Sequence, residues 1–181
     1  LQVCHAIEYA HSRGVFHLDL KPGNIKVGPF GEVYVLDWGF AARADESESQ
    51  KYIAGTPVYI APERLFGAKP DARCDVYSLG VMLYRLLTNR LPRDVSRITF
   101  REYRERFASL AVVPPRQRDR AIPADLEAIV MKAMADTPSE RYPSARELAA
   151  DLERYLDLLP VIAYGDGILG RSWKFLRRHK R

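Results

Sequence analysis

A mainly α-helical fold with one small β-hairpin region is what the sequence predicts, and three observations carry that prediction. Apolar residues recur at helical spacing over 1–13, 75–88, 124–135 and 144–156. Two short apolar runs, Ile25-Lys26-Val27 and Val33-Tyr34-Val35-Leu36, flank Gly28-Pro29-Phe30-Gly31, the composition of a hairpin turn. The chain has 181 residues, 47% apolar and 28% charged, enough for one buried core and ordinary for a soluble globular protein.

The elements follow in order. Residues 1–13 read as an amphipathic helix with Leu1, Cys4, Ile7 and Ala10 on one face, closed by Gly14. No capping residue precedes Leu1, so the chain is expected to be part of something longer. Val15-Phe16 is a further short apolar run, and 38–57 read as polar and irregular. Asp75 to Thr88 is apolar on most faces, which predicts a central buried helix. Residues 97–110 read as a charged surface helix, and 111–123, with Pro114, Pro115 and Pro123, as a loop. Ala124 to Ala135 and Ser144 to Leu156 are the last two core helices; 171–181 reads as a short basic helix.

Charge and cysteine content narrow the function classes. The formal charge is +5, but Arg171, Lys174, Arg177, Arg178, Lys180 and Arg181 crowd the end of the chain. Without them the body is near neutral, so a nucleic-acid-binding face is not expected on it. Cys4 and Cys74 are far apart and lack metal-ligand spacing, as in a reduced, cytoplasmic protein. No run of about 18 apolar residues and no signal peptide is visible.

The chemistry lies in a set of short motifs. His17-Leu18-Asp19-Leu20-Lys21-Pro22-Gly23-Asn24 comes first, and Asp37-Trp38-Gly39 begins eighteen residues after Asp19. Gly55-Thr56-Pro57, Ala61-Pro62-Glu63 and Asp75-Val76-Tyr77-Ser78-Leu79-Gly80 follow. Any one alone is a weak signal, since Asp and Asn in turns often only cap backbone amides. In this order and spacing they closely resemble the catalytic-lobe signatures of the protein kinase family, bacterial-looking and eukaryotic-type, over residues 1 to about 157.

That resemblance implies a kinase-like C-terminal lobe at 1–157, a basic tail at 158–181, and phosphoryl transfer from Mg-ATP to a protein substrate. Asp19 would orient the substrate hydroxyl and accept its proton. Lys21 would offset charge on the transferred group. Asn24 and Asp37 would be the magnesium ligands, hard oxygen donors of the kind Mg2+ prefers. Lys21 and Thr56 look like the Ser/Thr branch, with Thr56 bonding Asp19 and Lys21. Glu63 would pair with Arg141, Asp75 would anchor the His17-Leu18 backbone, and His17 would stack on Trp38 in a hydrophobic column.

Four departures from the family pattern matter. Leu18 stands where an Arg usually precedes the catalytic Asp and receives an activation-loop phosphate. Phosphorylation at Ser47, Ser49 or Thr56 is therefore not expected to switch activity by that route. Trp38 replaces a Phe but remains aromatic. Lys26 falls where an apolar residue usually underlies the adenine: its stem covers the base, or its charge weakens nucleotide binding. The upper lobe, with its GxGxxG loop, is expected to be absent from these residues. The chain alone would then be nearly inactive, with apolar surface exposed. A non-catalytic scaffold module or decayed fragment is the alternative. The tail loosely resembles the basic segment before a membrane helix in bacterial receptor-like kinases, which implies membrane proximity; a solvated charged end is the plainer reading.

Overall fold

The computed structural model describes residues 1–45, 57–93, 95 and 99–164. Helix α1 spans Gln2–Ser12 and turns Cys4 and Ile7 inward. It ends two residues before Gly14, whose φ of 70° lies in the left-handed region that glycine adopts without a Cβ penalty. Strand β1, Val15–Phe16, follows at once. A single 3-10 turn, Pro22–Asn24, leads into β2 (Ile25–Val27), which pairs antiparallel with β3 (Val33–Val35) through Ile25–Val35, Lys26–Tyr34 and Val27–Val33. The hairpin and its Gly-Pro-Phe-Gly turn stand where the sequence puts them.

Strand β4, Ala42–Arg43, pairs antiparallel with β1 in a second two-stranded sheet. It lies inside the stretch that reads as irregular. Two residues are too few for an alternating pattern, and the strand exists because β1 offers it a ladder.

A 3-10 turn at Pro57–Tyr59 precedes the one-turn helix α2, Pro62–Leu65, with Pro62 at its first position. Helix α3 runs from Ala72 to Thr88, three residues longer at its start than the apolar pattern suggests. Asp71 makes that start by accepting a hydrogen bond from the Arg73 amide at 2.8 Å. Every residue from Cys74 to Met82 is buried, so α3 is the central helix, in contact with α1 and with the later helices.

The charged helix expected over 97–110 is shorter. Helix α4, Phe100–Arg106, begins at a capping box in which Thr99 and Glu102 exchange hydrogen bonds, and a 3-10 turn at Phe107–Ser109 ends it. It is not purely a surface helix, because Tyr103 and Phe107 are buried with Ile60 and Leu65 in a satellite cluster. The loop at 111–123 contains a one-turn helix, α5, Pro115–Arg118. Helices α6, Ala124–Ala133, and α7, Ala145–Leu156, complete the core. Tyr77 and Val81 of α3 join Ile129 of α6, Leu148 of α7 and Ile7 of α1 in one cluster. At Gly80 the helices α3 and α6 come so close that a Cβ would sit 2.8 Å from Met134 Cγ and 2.9 Å from Ala133 Cβ.

The chain continues past 157 as part of the same fold. Asp151, fully buried, accepts from the Ile162 and Ala163 amides at 2.6 and 2.9 Å and from Tyr142 Oη at 2.6 Å. Val161 joins the main core. The packed body thus reaches Tyr164, seven residues beyond the boundary expected from sequence. The basic helix expected at 171–181 lies outside the described residues.

Candidate active site

The loop that leaves β1 is held from behind by one carboxylate. Asp75, in the first turn of α3 and fully buried, accepts from the His17 amide through Oδ2 and from the Leu18 amide through Oδ1, both at 2.8 Å. Its Oδ2 also takes the ring nitrogen Nε2 of His11 at 2.8 Å. Leu18 sits at a φ of 64°, a conformation that costs a branched L-residue about 1–2 kcal/mol. The two bonds to Asp75 hold the backbone leading into that strained residue.

Asp19 comes next and is 4% exposed. Its Oδ2 accepts from Lys21 Nζ at 2.6 Å and from Asn24 Nδ2 at 3.1 Å. Asn24 Nδ2 also donates to the Asp19 carbonyl at 2.8 Å. The 3-10 turn at 22–24 makes this possible by folding Asn24 back over Asp19. Asn24 commits its amide nitrogen to Asp19, which leaves its amide oxygen for another partner. Asp19 likewise commits Oδ2 and keeps Oδ1.

The segment after β3 is fastened to the same loop. The Leu36 amide donates to the Asn24 carbonyl at 2.8 Å, and His17 Nε2 donates to the Leu36 carbonyl at 3.1 Å. His17 Nδ1 accepts from the Asp19 amide at 3.3 Å, so the imidazole is held as the Nε2–H tautomer. The Trp38 ring lies 4.6 Å from the His17 ring, tilted by 54°. Asp37 stands between these two attachments, exposed, at a φ of 61°. The structure therefore brings Asp37 to the edge of the Asp19–Asn24 loop. A side chain at residue 39 would crowd it, since a Cβ there would be 3.3 Å from Asp37 Oδ1.

The remaining residues singled out by sequence fall in three places. Lys26 is exposed on the hairpin beside Tyr34. Thr56 lies outside the described residues, as do Ser47 and Ser49. Glu63 and Arg141 meet beside the start of α3, near Arg73 and Cys74: Arg141 Nη1 and Nη2 donate to the two Glu63 oxygens at 2.8 and 2.6 Å, the planar two-point pairing that guanidinium favours. Arg141 also donates to the carbonyls of Ala135, Arg73 and Asp136, which leaves this buried cation well satisfied.

Sequence reasoning missed several buried polar groups, three of them with partners remote in sequence. Arg93, 2% exposed, bonds Asp136, Tyr77 Oη and the Leu110 carbonyl, and its guanidinium lies 4.2 Å from the Phe107 ring centroid. Asp151 and His11 are the other two. None stands in a motif, and each is defined by partners remote in sequence. Burial pushes both thiols, Cys4 and Cys74, above their ordinary range, with the Glu63 carboxylate adding to the shift at Cys74.

Among the described residues no cluster of three or more His, Cys, Asp or Glu could hold a metal by itself. Asp37 and Asn24 are two hard oxygen donors, few enough that a cation there would draw its other ligands from water or phosphate. That is how Mg2+ is commonly bound in phosphoryl-transfer sites. No described helix is long and apolar enough to cross a membrane.

The model of the protein kinase domain family matches residues 1–152. The chain belongs to the protein kinase family. Among curated relatives, it is 39% identical over 178 residues to the serine/threonine-protein kinase PknD of Chlamydia abortus, covering 88% of this chain and 19% of that protein. It is 40% identical over 158 residues to PknB of Mycobacterium leprae, a serine/threonine-protein kinase, covering 83% of this chain and 24% of that protein. PknD of Protochlamydia amoebophila is 36% identical, with 87% of this chain covered. The chain spans about a fifth of the length of these relatives. In kinases a glycine-rich loop covers the nucleotide phosphates. The spacing GxGxxG does occur here, at Gly165, Gly167 and Gly170, but it follows the Asp19 loop and lies outside the described residues.

Proposed function

We propose that this chain is the C-terminal catalytic lobe of a bacterial Ser/Thr protein kinase, and that the intact protein moves the terminal phosphate of ATP to a Ser or Thr hydroxyl. The observation that carries the reading is the hydrogen-bonded set of Asp19, Lys21 and Asn24 on a strained, anchored loop, with Asp37 fastened to its edge.

In this reading Asp19 Oδ1 takes the substrate hydroxyl proton as that oxygen bonds to phosphorus. The bond from phosphorus to the bridging oxygen breaks, and ADP leaves with the electron pair. Lys21 donates to Asp19 Oδ2 at 2.6 Å and lies near enough to offset charge on the transferred group. A magnesium ion held by Asp37 and Asn24 would neutralise the phosphates during that transfer. Support for the lobe assignment comes from the face beside Asp37. Tyr34, Leu36 and Trp38 are 49, 43 and 38% exposed, an apolar surface suited to a second lobe. Thr56 is assigned to the substrate loop on sequence alone, and the basic residues at 171–181 to an anionic membrane surface.

The test is phosphate transfer from radiolabelled Mg-ATP by the intact protein, followed by phosphoamino-acid analysis. Label on Ser and Thr that vanishes in Asp19→Asn is the expected result. Undiminished transfer in that variant, or label on Tyr alone, contradicts the reading. A folded intact protein that transfers nothing favours a docking module instead.

A further inference from the structure

Tyr59 and Arg85 form a polar pair that the reading above leaves unused. Tyr59 ends the 3-10 turn before α2 and is 5% exposed, and its hydroxyl accepts from Arg85 Nη1 at 2.8 Å. The Tyr59 O–H itself has no acceptor among the described residues. Arg85 is exposed in the last turn of α3, and no carboxylate among the described residues pairs with it. A bond that only ties two elements together needs one neutral donor. A guanidinium with most of its N–H donors unspent, beside a hydroxyl with a proton to give, is a receptor for an oxyanion.

The pair lies along the same face of α3 as the Asp19 loop. Asp75, Ser78 and Arg85 are spaced to share one face of the helix. On that face Asp75 takes the His17 and Leu18 amides, and Ser78 Oγ donates to the Tyr59 carbonyl at 2.7 Å. The Asp19 loop and the 57–59 turn are thus laid side by side, with Arg85 at the far end, about 15 Å along the axis from Asp75. An extended peptide covers that in about four or five residues, fewer once two long side chains reach toward each other.

Charge selects the sign of the ligand. Residues 85–120 carry ten arginines and four acidic residues, and Arg90, Arg104, Arg106, Arg116 and Arg118 among them are exposed. That stretch folds back on the end of α3, where Tyr84 Oη donates to the Val113 carbonyl at 2.7 Å. The field there attracts an acidic peptide and repels a basic one.

We propose that Arg85 and the Tyr59 hydroxyl bind the carboxylate of a substrate residue about two to four positions from the phospho-acceptor, so that the kinase selects acidic segments. The proposal rests on the functional reading above, and two measurements keep the two apart. In the first, the intact kinase is assayed with peptides that hold one Ser acceptor and carry Glu, Lys, Ala or phosphoserine at each position within about five residues of it. The expected result is kcat/KM about fivefold higher for Glu than for Lys at one or two positions, with Ala between. Arg85→Glu reverses that order at the same positions, and Arg85→Met brings Glu down to Ala. An unaltered order in Arg85→Glu overturns the proposal. So does an equal loss for every peptide, which marks a structural bond only, and so does an effect of Arg85 confined to phosphoserine.

The second measurement needs no catalysis. In the 181-residue chain, NMR follows the Arg85 Nε–H and Tyr59 ring signals as a Glu peptide with Ala at the acceptor position is added. Both signals should shift, and the matching Lys peptide should leave them in place. Signals indifferent to the Glu peptide overturn the proposal. If Asp19→Asn transfers normally, the functional reading has failed, and this titration still decides the carboxylate site.

Discussion

The Asp19 loop has two sides that are built differently. The side toward α3 is closed. Asp75 is fully buried, its bonds to His17, Leu18 and His11 are all 2.8 Å, and Arg141 and Glu63 lock the next layer. The side toward the β2–β3 hairpin is open. Asp37 and Lys26 are exposed there among Tyr34, Leu36 and Trp38. Closed polar networks have few alternative arrangements, because each broken bond strands a buried group. An open apolar face imposes no such geometry and suits a surface that meets a second body. Under the proposed reading, the closed side would hold the reacting groups still and the open side would be left for nucleotide and a partner lobe.

Breaking the reacting cluster has the largest expected effect. Asp19→Asn in the intact kinase should lower phosphoryl transfer by about 10²–10⁴-fold, the usual worth of a positioned general base, with thermal midpoint little changed. Breaking the closed side should cost stability. Arg141→Met strands Glu63 against α3 and should cost about 3–5 kcal/mol by urea denaturation, as removal of one partner of a buried ion pair does. Gly80→Ala probes the packing behind the site. Its new Cβ has to displace Met134 and Ala133, an overpacking cost of about 1–3 kcal/mol. On the open side, Tyr34→Ser should shift stability by no more than about 0.5 kcal/mol, as surface changes usually do. A loss as large as that of Arg141→Met would show that the open face is structural, and the two-sided contrast would fail.

The closed side was the more legible in sequence. His17 to Asn24, Glu63, Asp75 and Arg141 were legible through the resemblance of their motifs to the protein kinase family, and the surrounding helices are long enough to show periodicity. The hairpin showed itself through its turn residues. One-turn α2 and α5 and two-residue β4 lack the length to make a pattern, and tertiary contacts form them. Arg93, Asp151 and His11 are polar residues in ordinary surroundings by sequence. Only the long-range bonds to Asp136, to the 162–163 amides and to Asp75 reveal why they are buried. The expected boundary at 157 fell short because the residues beyond it have no motif and are held by Asp151 from within α7.

The claim on which the account depends is that residues 19–24 and Asp37 share one metal–nucleotide centre. Replacing Mg2+ by paramagnetic Mn2+ with ATP, and reading amide broadening by NMR across this chain, tests it directly. The account predicts broadening concentrated at residues 17–24 and 36–39 and lost in Asp37→Ala. Broadening spread over the surface carboxylates, or centred elsewhere and indifferent to Asp37→Ala, would contradict it.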